Sequence, residues 1–223
     1  EWTVEAMELP ETLLSPKQMF MNDDRILYVA DVDAHCVWSL LLSEQTPPTV
    51  LSMHAAVGKC GTLGASQDGS LAADVRLYAP EAVIQAPDGT LYVSDTGNNR
   101  VVSLRDNQSH VILGGITGVL TGDGTPAHDF SVEEPRGIWL DLFGNLYVAG
   151  RADIRMVADQ DGDGVPEGSD RVWTIHKSDA SGSPSCLEAL TPLPAEFSPA
   201  LLLATDACNS SSMVLRPPLP LAP

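Results

Sequence analysis

Short apolar runs separated by turns rich in Gly, Pro and Asp recur along this chain. The clearest stretch is 80–104, PEAVIQAPDGTLYVSDTGNNRVVSL, in which the runs at 82–85 and 91–94 flank a Pro-Asp-Gly turn. A second turn, Thr-Gly-Asn-Asn, leads into the run at 100–104. Strands of about five residues joined by such turns are typical of a β-meander. A helix is disfavoured, because Gly and Pro interrupt the stretch too often.

The stretch has copies elsewhere in the chain. Residues 134–157, EPRGIWLDLFGNLYVAGRADIRMV, align with it without a gap at an offset of 55, and residues 16–40 align with it at an offset of 64. A more divergent fourth copy covers 201–215. Repeats of this length indicate units that cannot bury their apolar faces alone and therefore stack on their neighbours.

The stretch 80–104 closely resembles an NHL repeat: Pro, an apolar strand, Asp-Gly, a Leu-Tyr-Val strand, Asp, a Gly-Asn turn and Arg-Val. The resemblance implies an all-β fold, a β-propeller of four-stranded blades. Four blades are visible, whereas NHL-like propellers usually have six. A four-bladed ring, a fragment of a longer chain and a ring shared by two chains all remain open. We expect a single propeller at 1–216 and a Pro-rich tail or linker at 217–223.

Each blade is expected to contain strands a to d in chain order. The predicted strands are 18–21, 26–30, 36–40 and 50–53 in unit one; 82–85, 91–94, 101–104 and 110–113 in unit two; 137–141, 146–149, 154–158 and 171–176 in unit three; and 187–190, 201–205 and 213–215 in unit four. Unit four lacks a strand d, whereas the strand predicted at 2–7 belongs to none of the four units. Closure removes an exposed sheet edge, so we expect the N-terminal strand to complete the last blade beside 213–215.

The most specific local signal lies between strands c and d of unit three, where 159–170 reads DQDGDGVPEGSD. Alternate carboxylates on a tight turn can supply the oxygen ligands that Ca²⁺ prefers. No helices are expected to flank the loop, so it resembles the calcium loops of integrin-type propellers more than an EF-hand. The alternative is a solvated acidic hairpin, whose crowded carboxylates would repel each other. The expected Ca²⁺ ligands are Asp159, Asp161, Asp163, the carbonyl of Val165 and Asp170, with Glu167 direct or through water.

The four cysteines permit three pairings, among which the sequence does not choose. Strand direction places Cys36 and Cys60 at the lower edge of the first unit, and Cys186 and Cys208 at the lower edge of the fourth. Topology therefore allows the disulfides Cys36–Cys60 and Cys186–Cys208, both on the face opposite the calcium loop. The alternative is four reduced thiols.

Two Asn-x-Ser sequences, at Asn107 and Asn209, match the N-glycosylation sequon. Such matches are common by chance, so they add little to the case for secretion. Together with the disulfides they favour a secreted, periplasmic or cell-surface protein.

The charge of the chain limits its partners. The sequence has 12 basic and 30 acidic residues, a net charge of −18. Such a surface repels phosphate, so nucleic acid and anionic membranes are poor partners, while cations, basic protein surfaces and neutral glycans are favoured. No stretch approaches the ~20 apolar residues of a membrane span, so membrane insertion is not expected.

Catalytic motifs are missing from the sequence. No pair of histidines has metal-ligand spacing, and neither a Gly-x-Ser-x-Gly motif nor a phosphate-binding loop is present. The pair Asp95 and Arg100, at the two ends of one turn, is expected to be structural.

Two hypotheses for function follow. The first is a non-catalytic, calcium-stabilised interaction or adhesion module that binds protein or glycan and forms part of a larger chain or assembly. The second, implied by the family resemblance, is a metal-dependent propeller enzyme such as a lactonase-type hydrolase or an amidating lyase. Such an enzyme would gather ligands at the central channel, where the candidates here are Lys17, Glu81, Arg136 and Glu188.

Overall fold

The computed structural model describes residues 7–115 and 122–177, and the backbone of three further strands at 187–192, 202–206 and 211–215. This part of the chain contains β-strands and three short 3₁₀ turns, and no α-helix. The strands are β1 (Pro16–Met21), β2 (Ile26–Asp31), β3 (Cys36–Leu42), β4 (Val50–Val57), β5 (Ala82–Gln85), β6 (Leu91–Asp95), β7 (Arg100–Arg105), β8 (Gln108–Gly114), β9 (Thr125–Pro126), β10 (Gly137–Leu140), β11 (Leu146–Ala149), β12 (Asp153–Ala158), β13 (Arg171–Lys177), β14 (Leu187–Pro192), β15 (Leu202–Asp206) and β16 (Ser211–Leu215).

The strands form four separate antiparallel meanders, here called blades one to four. Their orders are β1-β2-β3-β4, β5-β6-β7-β8, β10-β11-β12-β13 with β9 at its edge, and β14-β15-β16. The inner strands of successive blades lie side by side, β1 against β5, β5 against β10 and β10 against β14. The predicted all-β architecture of stacked blades is therefore confirmed. The N-terminal strand predicted at 2–7 falls, except for Met7, outside the described residues, so closure of the ring stays a prediction.

The tyrosines of the Leu-Tyr-Val strands show how the blades stack. Tyr28 of blade one packs in a buried cluster with Val83 of blade two, and Tyr92 of blade two packs in a second cluster with Ile138 of blade three. The corresponding Tyr147 belongs to a third cluster, on the side of blade three away from blade two. Because side chains alternate along a strand, each repeat sends its tyrosine toward the next blade and the flanking Leu and Val toward the previous one.

The two long connections between blades form an outer edge for the blade that follows. Asp68 accepts a 2.7 Å hydrogen bond from the backbone N–H of Val111, and Asp123, 55 residues later, accepts a 2.9 Å bond from the N–H of Thr174. Within the second connection, β9 pairs with β13. These repeated Asp-Gly segments are therefore structural, as their register indicated.

A buried ion pair between Asp95 and Arg100 connects the end of β6 to the start of β7 in blade two. The guanidinium Nε of Arg100 lies 2.7 Å from Oδ2 of Asp95, and both side chains are almost fully buried. Asp95 also accepts bonds from the N–H of Tyr78 and the side-chain amide of Asn98. The charge of Arg100 is therefore compensated by an ion pair and that of Asp95 by several donors, which is the condition for burying either group. The structural role predicted for this pair is confirmed.

Candidate metal centre

The candidate site is the loop 159–170, which joins β12 and β13 at one end of blade three. Its first half is organised by Asp159, whose two carboxylate oxygens each accept a 2.8 Å hydrogen bond, from the N–H groups of Gly162 and Gly164. Both glycines have positive φ, 76° and 80°, a conformation that other residues rarely adopt. The sequence D-x-D-G-D-G thus produces a tight turn in which Asp159 faces inward.

Three carboxylates converge at this turn. One oxygen from each of Asp159, Asp161 and Asp163 lies within 4.8 Å of the others. Asp161 and Asp163 are exposed, and Asp159 is half-buried. Three hard oxygen donors at this spacing, open to solvent on one side, suit a Ca²⁺ ion that completes its shell with backbone oxygen and water. The three carboxylates are thus close enough to share one ion, and the ion itself stays a prediction.

The remaining predicted ligands have other contacts. Asp170 is 6% exposed and accepts hydrogen bonds from the N–H groups of Glu167, at 2.9 Å, and Gln160, at 3.3 Å. Burial raises the pKa of its carboxyl, and the nearby charges of Asp159 and Asp161 act in the same direction. The Asp170 carboxylate therefore links the two halves of the loop through hydrogen bonds. Ligand roles for Asp170, for Glu167 and for the carbonyl of the buried Val165 stay predictions.

The loop packs against the β10–β11 turn of the same blade, a contact that the sequence analysis did not predict. The side-chain oxygen of Asn145 accepts a 3.1 Å bond from the N–H of Asp159. A Cβ atom on Gly144 would lie 2.6 Å from Oδ2 of Asp159 and 2.7 Å from Cα of Gly164. Only glycine leaves room here for the loop. The alignment of Gly144 with Gly89 of blade two indicated a turn, but not this contact.

The loop also crosses to blade two. The buried hydroxyl of Tyr92 donates a 3.1 Å hydrogen bond to the carbonyl oxygen of Pro166. From the connection between the blades, the N–H of Ala127 donates to the carbonyl of Asp170 at 2.7 Å, and that of His128 to the carbonyl of Gly168 at 2.9 Å. Hydrogen bonds of the second half of the loop therefore connect blade three to blade two.

The predicted cysteine and glycosylation sites are only partly within the described residues. Cys36 and Cys60 form a disulfide, which confirms one of the two pairings. Cys36 begins β3, whereas the loop follows the end of the equivalent β12, so the disulfide and the loop lie at opposite ends of their blades. Cys186, Cys208 and Asn209 fall outside the described residues. Asn107 is exposed in the turn between β7 and β8, where a glycan would be accessible.

The candidate channel residues do not assemble into a metal site in the part of the chain described. The guanidinium of Arg136 forms ion pairs with two carboxylates: its Nη2 lies 2.9 Å from Oε2 of Glu134, and its Nε lies 4.0 Å from Oε1 of Glu81. Lys17 is exposed on β1. The side chain of Glu188 falls outside the described residues.

Blades of four antiparallel strands that stack in chain order define the chain as a β-propeller, and known structures share this fold. A protein of unknown function from Bacteroides thetaiotaomicron matches with a TM-score of 0.56 and 14% identity, covering 89% of this chain and 46% of that one. Virginiamycin B lyase from Staphylococcus aureus matches with a TM-score of 0.51 and 11% identity, covering 96% and 59%. At these identities the likeness shows the fold alone.

Comparison with known sequences finds similarity to teneurins. The family model described as Teneurin NHL domain matches residues 1–105. Mouse Teneurin-1 is 46% identical over 46 residues, covering 21% of this chain and 2% of that protein. Zebrafish Teneurin-3 is 28% identical over 114 residues, covering 48% and 4%. The chain thus spans a small part of its curated relatives. The described part of the chain contains no candidate for a membrane-spanning helix.

Proposed function

We propose that this propeller is a non-catalytic interaction module of an extracellular protein, stabilised by one Ca²⁺ on the loop 159–170. The observation that carries the proposal is the convergence of Asp159, Asp161 and Asp163 within 4.8 Å. The turn that presents them is fixed by hydrogen bonds and by glycine conformations, so the donors are preorganised for an ion. The ion would hold the loop in place and take no part in chemistry.

An extracellular location is supported by the Cys36–Cys60 disulfide, because such bonds persist mainly in oxidising compartments. Extracellular calcium modules work with Kd values of about 0.1–1 mM, so a site of modest affinity would suffice there. The match to a teneurin NHL domain supports an interaction role within a larger protein.

The chemistry of the surface favours a protein or glycan partner. The net charge of −18 attracts basic protein surfaces and repels nucleic acid and anionic lipid. The enzyme alternative receives no support from the lyase neighbour, since an identity of 11% relates the folds only.

Calorimetric titration of the metal-free protein with CaCl₂ and, separately, MgCl₂ tests the proposal. We expect one Ca²⁺ per chain and at least about tenfold weaker Mg²⁺ binding, because Mg²⁺ demands a tighter octahedral shell. The variant Asp163→Asn keeps an oxygen for the N–H of Val165 but removes a charge, so it should weaken Ca²⁺ binding. Asp33→Asn, an exposed carboxylate of blade one, is the control and should bind as wild type. Absence of Ca²⁺ binding would make the loop a solvated acidic hairpin.

A further inference from the structure

A cleft of about 490 Å³ opens between blade two and the loop 159–170. One wall is the second half of the loop, Val165 to Gly168, and the other is built from the outer strands of blade two. Its volume falls in the range of sites that take small ligands or single side chains. The cleft is separate from the aspartate cluster, which occupies the first half of the loop.

A buried serine lines the cleft without a hydrogen-bond partner. Ser103 is 5% exposed, and its hydroxyl makes no hydrogen bond with any other described residue. Its orientation follows from strand alternation, since Val101, two residues earlier on β7, packs in the cluster shared with blade three. Ser103 therefore points to the side of blade two on which the loop lies. The hydroxyl keeps some access to the cleft, so it can exchange a hydrogen bond with a group that enters there.

The basic groups of the cleft already have acidic neighbours. Nδ1 of His110 lies 3.3 Å from Asp68, and Nε of Arg105 lies 3.8 Å from Asp88. Both Asp88 oxygens also accept bonds from Thr90, which fixes that carboxylate in place. These bases are thus partly neutralised before any ligand arrives.

Two further carboxylates in the lining have no such neighbour. The side chains of Asp106, in the turn after β7, and Glu167, on the loop, make no hydrogen bond or ion pair with other described residues. They come from the two opposite walls of the cleft. Two free carboxylates and a free hydroxyl oxygen are acceptors, so the group that fits them is a cation with several N–H donors.

We propose that this cleft binds the guanidinium or ammonium group of an Arg or Lys side chain on a partner protein. The proposal rests on the interaction function proposed above, and it names the chemistry by which a partner is recognised. The aliphatic stem of such a side chain would lie against Val165, Pro166 and Ile112, which line the same cleft. Since one wall belongs to the calcium loop, the ion would hold the cleft in its binding shape.

The test is an NMR titration of the ¹⁵N-labelled, calcium-loaded protein with Nα-acetyl-arginine methylamide. The neutral isostere Nα-acetyl-citrulline methylamide is the control probe. We expect the arginine probe to shift the amide resonances of Ser103, His110 and Gly168, and the citrulline probe to bind about tenfold more weakly, because hydrogen bonds to a charged group are the stronger ones. Asp106→Asn and Ser103→Ala should each weaken arginine binding, whereas Asp33→Asn, an exposed carboxylate of blade one, should not.

The outcomes separate this proposal from the calcium site. Equal binding of the two probes, no binding of either, or shifts confined to residues outside the cleft would overturn the cleft proposal and leave the calcium site standing. If the protein binds arginine in the cleft but binds no Ca²⁺, the calcium site is overturned and the cleft proposal stands. If Asp106→Asn fails to fold, Ser103→Ala is decisive alone, because it removes a single oxygen from the lining.

Discussion

The hydroxyl of Tyr92 on blade two donates a 3.1 Å hydrogen bond to the carbonyl of Pro166 on the loop of blade three. Tyr28, the corresponding residue of blade one, also reaches the next blade, where its hydroxyl accepts a 3.3 Å bond from the side chain of Gln85. The repeat thus places a buried tyrosine at each of these blade junctions, and at the second junction the proposed calcium loop is its partner.

This relationship predicts that Tyr92→Phe weakens calcium binding. The substitution leaves the Pro166 carbonyl without its donor, which should cost about 1 kcal/mol of unfolding free energy. If that energy holds the loop in its binding shape, the Kd for Ca²⁺ should rise by up to about fivefold. Urea unfolding with and without Ca²⁺, and calorimetry, give the two quantities. Tyr28→Phe is the matched control: it should lower stability similarly and leave calcium affinity unchanged. Equal calcium affinities in both variants would contradict the coupling.

The glycine pair Gly144 and Gly89 predicts a second contrast. Both occupy the same turn position of their repeats with φ of 85° and 95°, so replacement by Ala should cost each about 1 kcal/mol of backbone strain. A Cβ at Gly89 meets nothing within 4 Å, whereas one at Gly144 meets Asp159. Gly144→Ala should therefore destabilise the protein further and abolish most of the calcium effect on Tm. Gly89→Ala should keep that effect in full. The opposite ranking would show that the loop does not rest on this turn.

The Cys36–Cys60 disulfide closes a segment with a sequence separation of 24. In the chain-entropy account a cross-link of this span stabilises the folded state by about 3 kcal/mol. The double variant Cys36→Ala/Cys60→Ala should lose that amount of unfolding free energy in urea. Reduction of the wild type, which would also open the predicted Cys186–Cys208 bond, should cost at least as much. Thiol titration of the unreduced, denatured protein gives an independent check. Four reactive cysteines in that titration would contradict the bond.

Alkaline pH should destabilise the protein through Tyr147. Burial raises the pKa of this phenol, and the adjacent carboxylate of Asp141, to which it donates a 3.1 Å hydrogen bond, raises it further. Above pH 10 the phenol ionises in the unfolded chain but not in the folded one, so its stabilising contribution is present below pH 10 and is lost as pH rises. Tyr147 alone should lower the free energy of unfolding by up to about 1.4 kcal/mol for each pH unit above 10. Urea unfolding between pH 8 and 11 measures it, and Tyr147→Phe should have a shallower slope. Identical slopes would contradict the assignment.

The blades could be predicted from the sequence because their determinants are local. Predicted strands such as 82–85 and 146–149 coincide with β5 and β11, since turn glycines and alternating apolar residues mark both ends of each strand. One turn lacked its glycine, yet Arg25 there adopts a φ of 62°, close to the conformation of Gly89 at the equivalent position. The repeat register was therefore a better guide to this turn than residue type.

The aspartate cluster was predictable for the same reason, because Asp159, Asp161 and Asp163 converge through hydrogen bonds within six residues of one another. The contacts of the loop with Asn145 and Tyr92 were not predictable. Alternation shows that Tyr92 faces one neighbour and Leu91 the other, but it does not say which blade lies on which side. Long-range contacts of this kind require the order and direction of stacking, which sequence periodicity does not contain.

Thermal unfolding in calcium and in chelator tests the central claim most directly. A bound ion stabilises the native state by about 2.7 kcal/mol at a hundredfold excess over Kd, which for a chain of this size raises Tm by about 5–10 °C. We expect chelator to lower Tm of the wild type and of the control Asp33→Ala by this amount. Asp161→Ala should melt at the lower temperature in both conditions. Identical melting of the wild-type protein with calcium and with chelator would contradict the account.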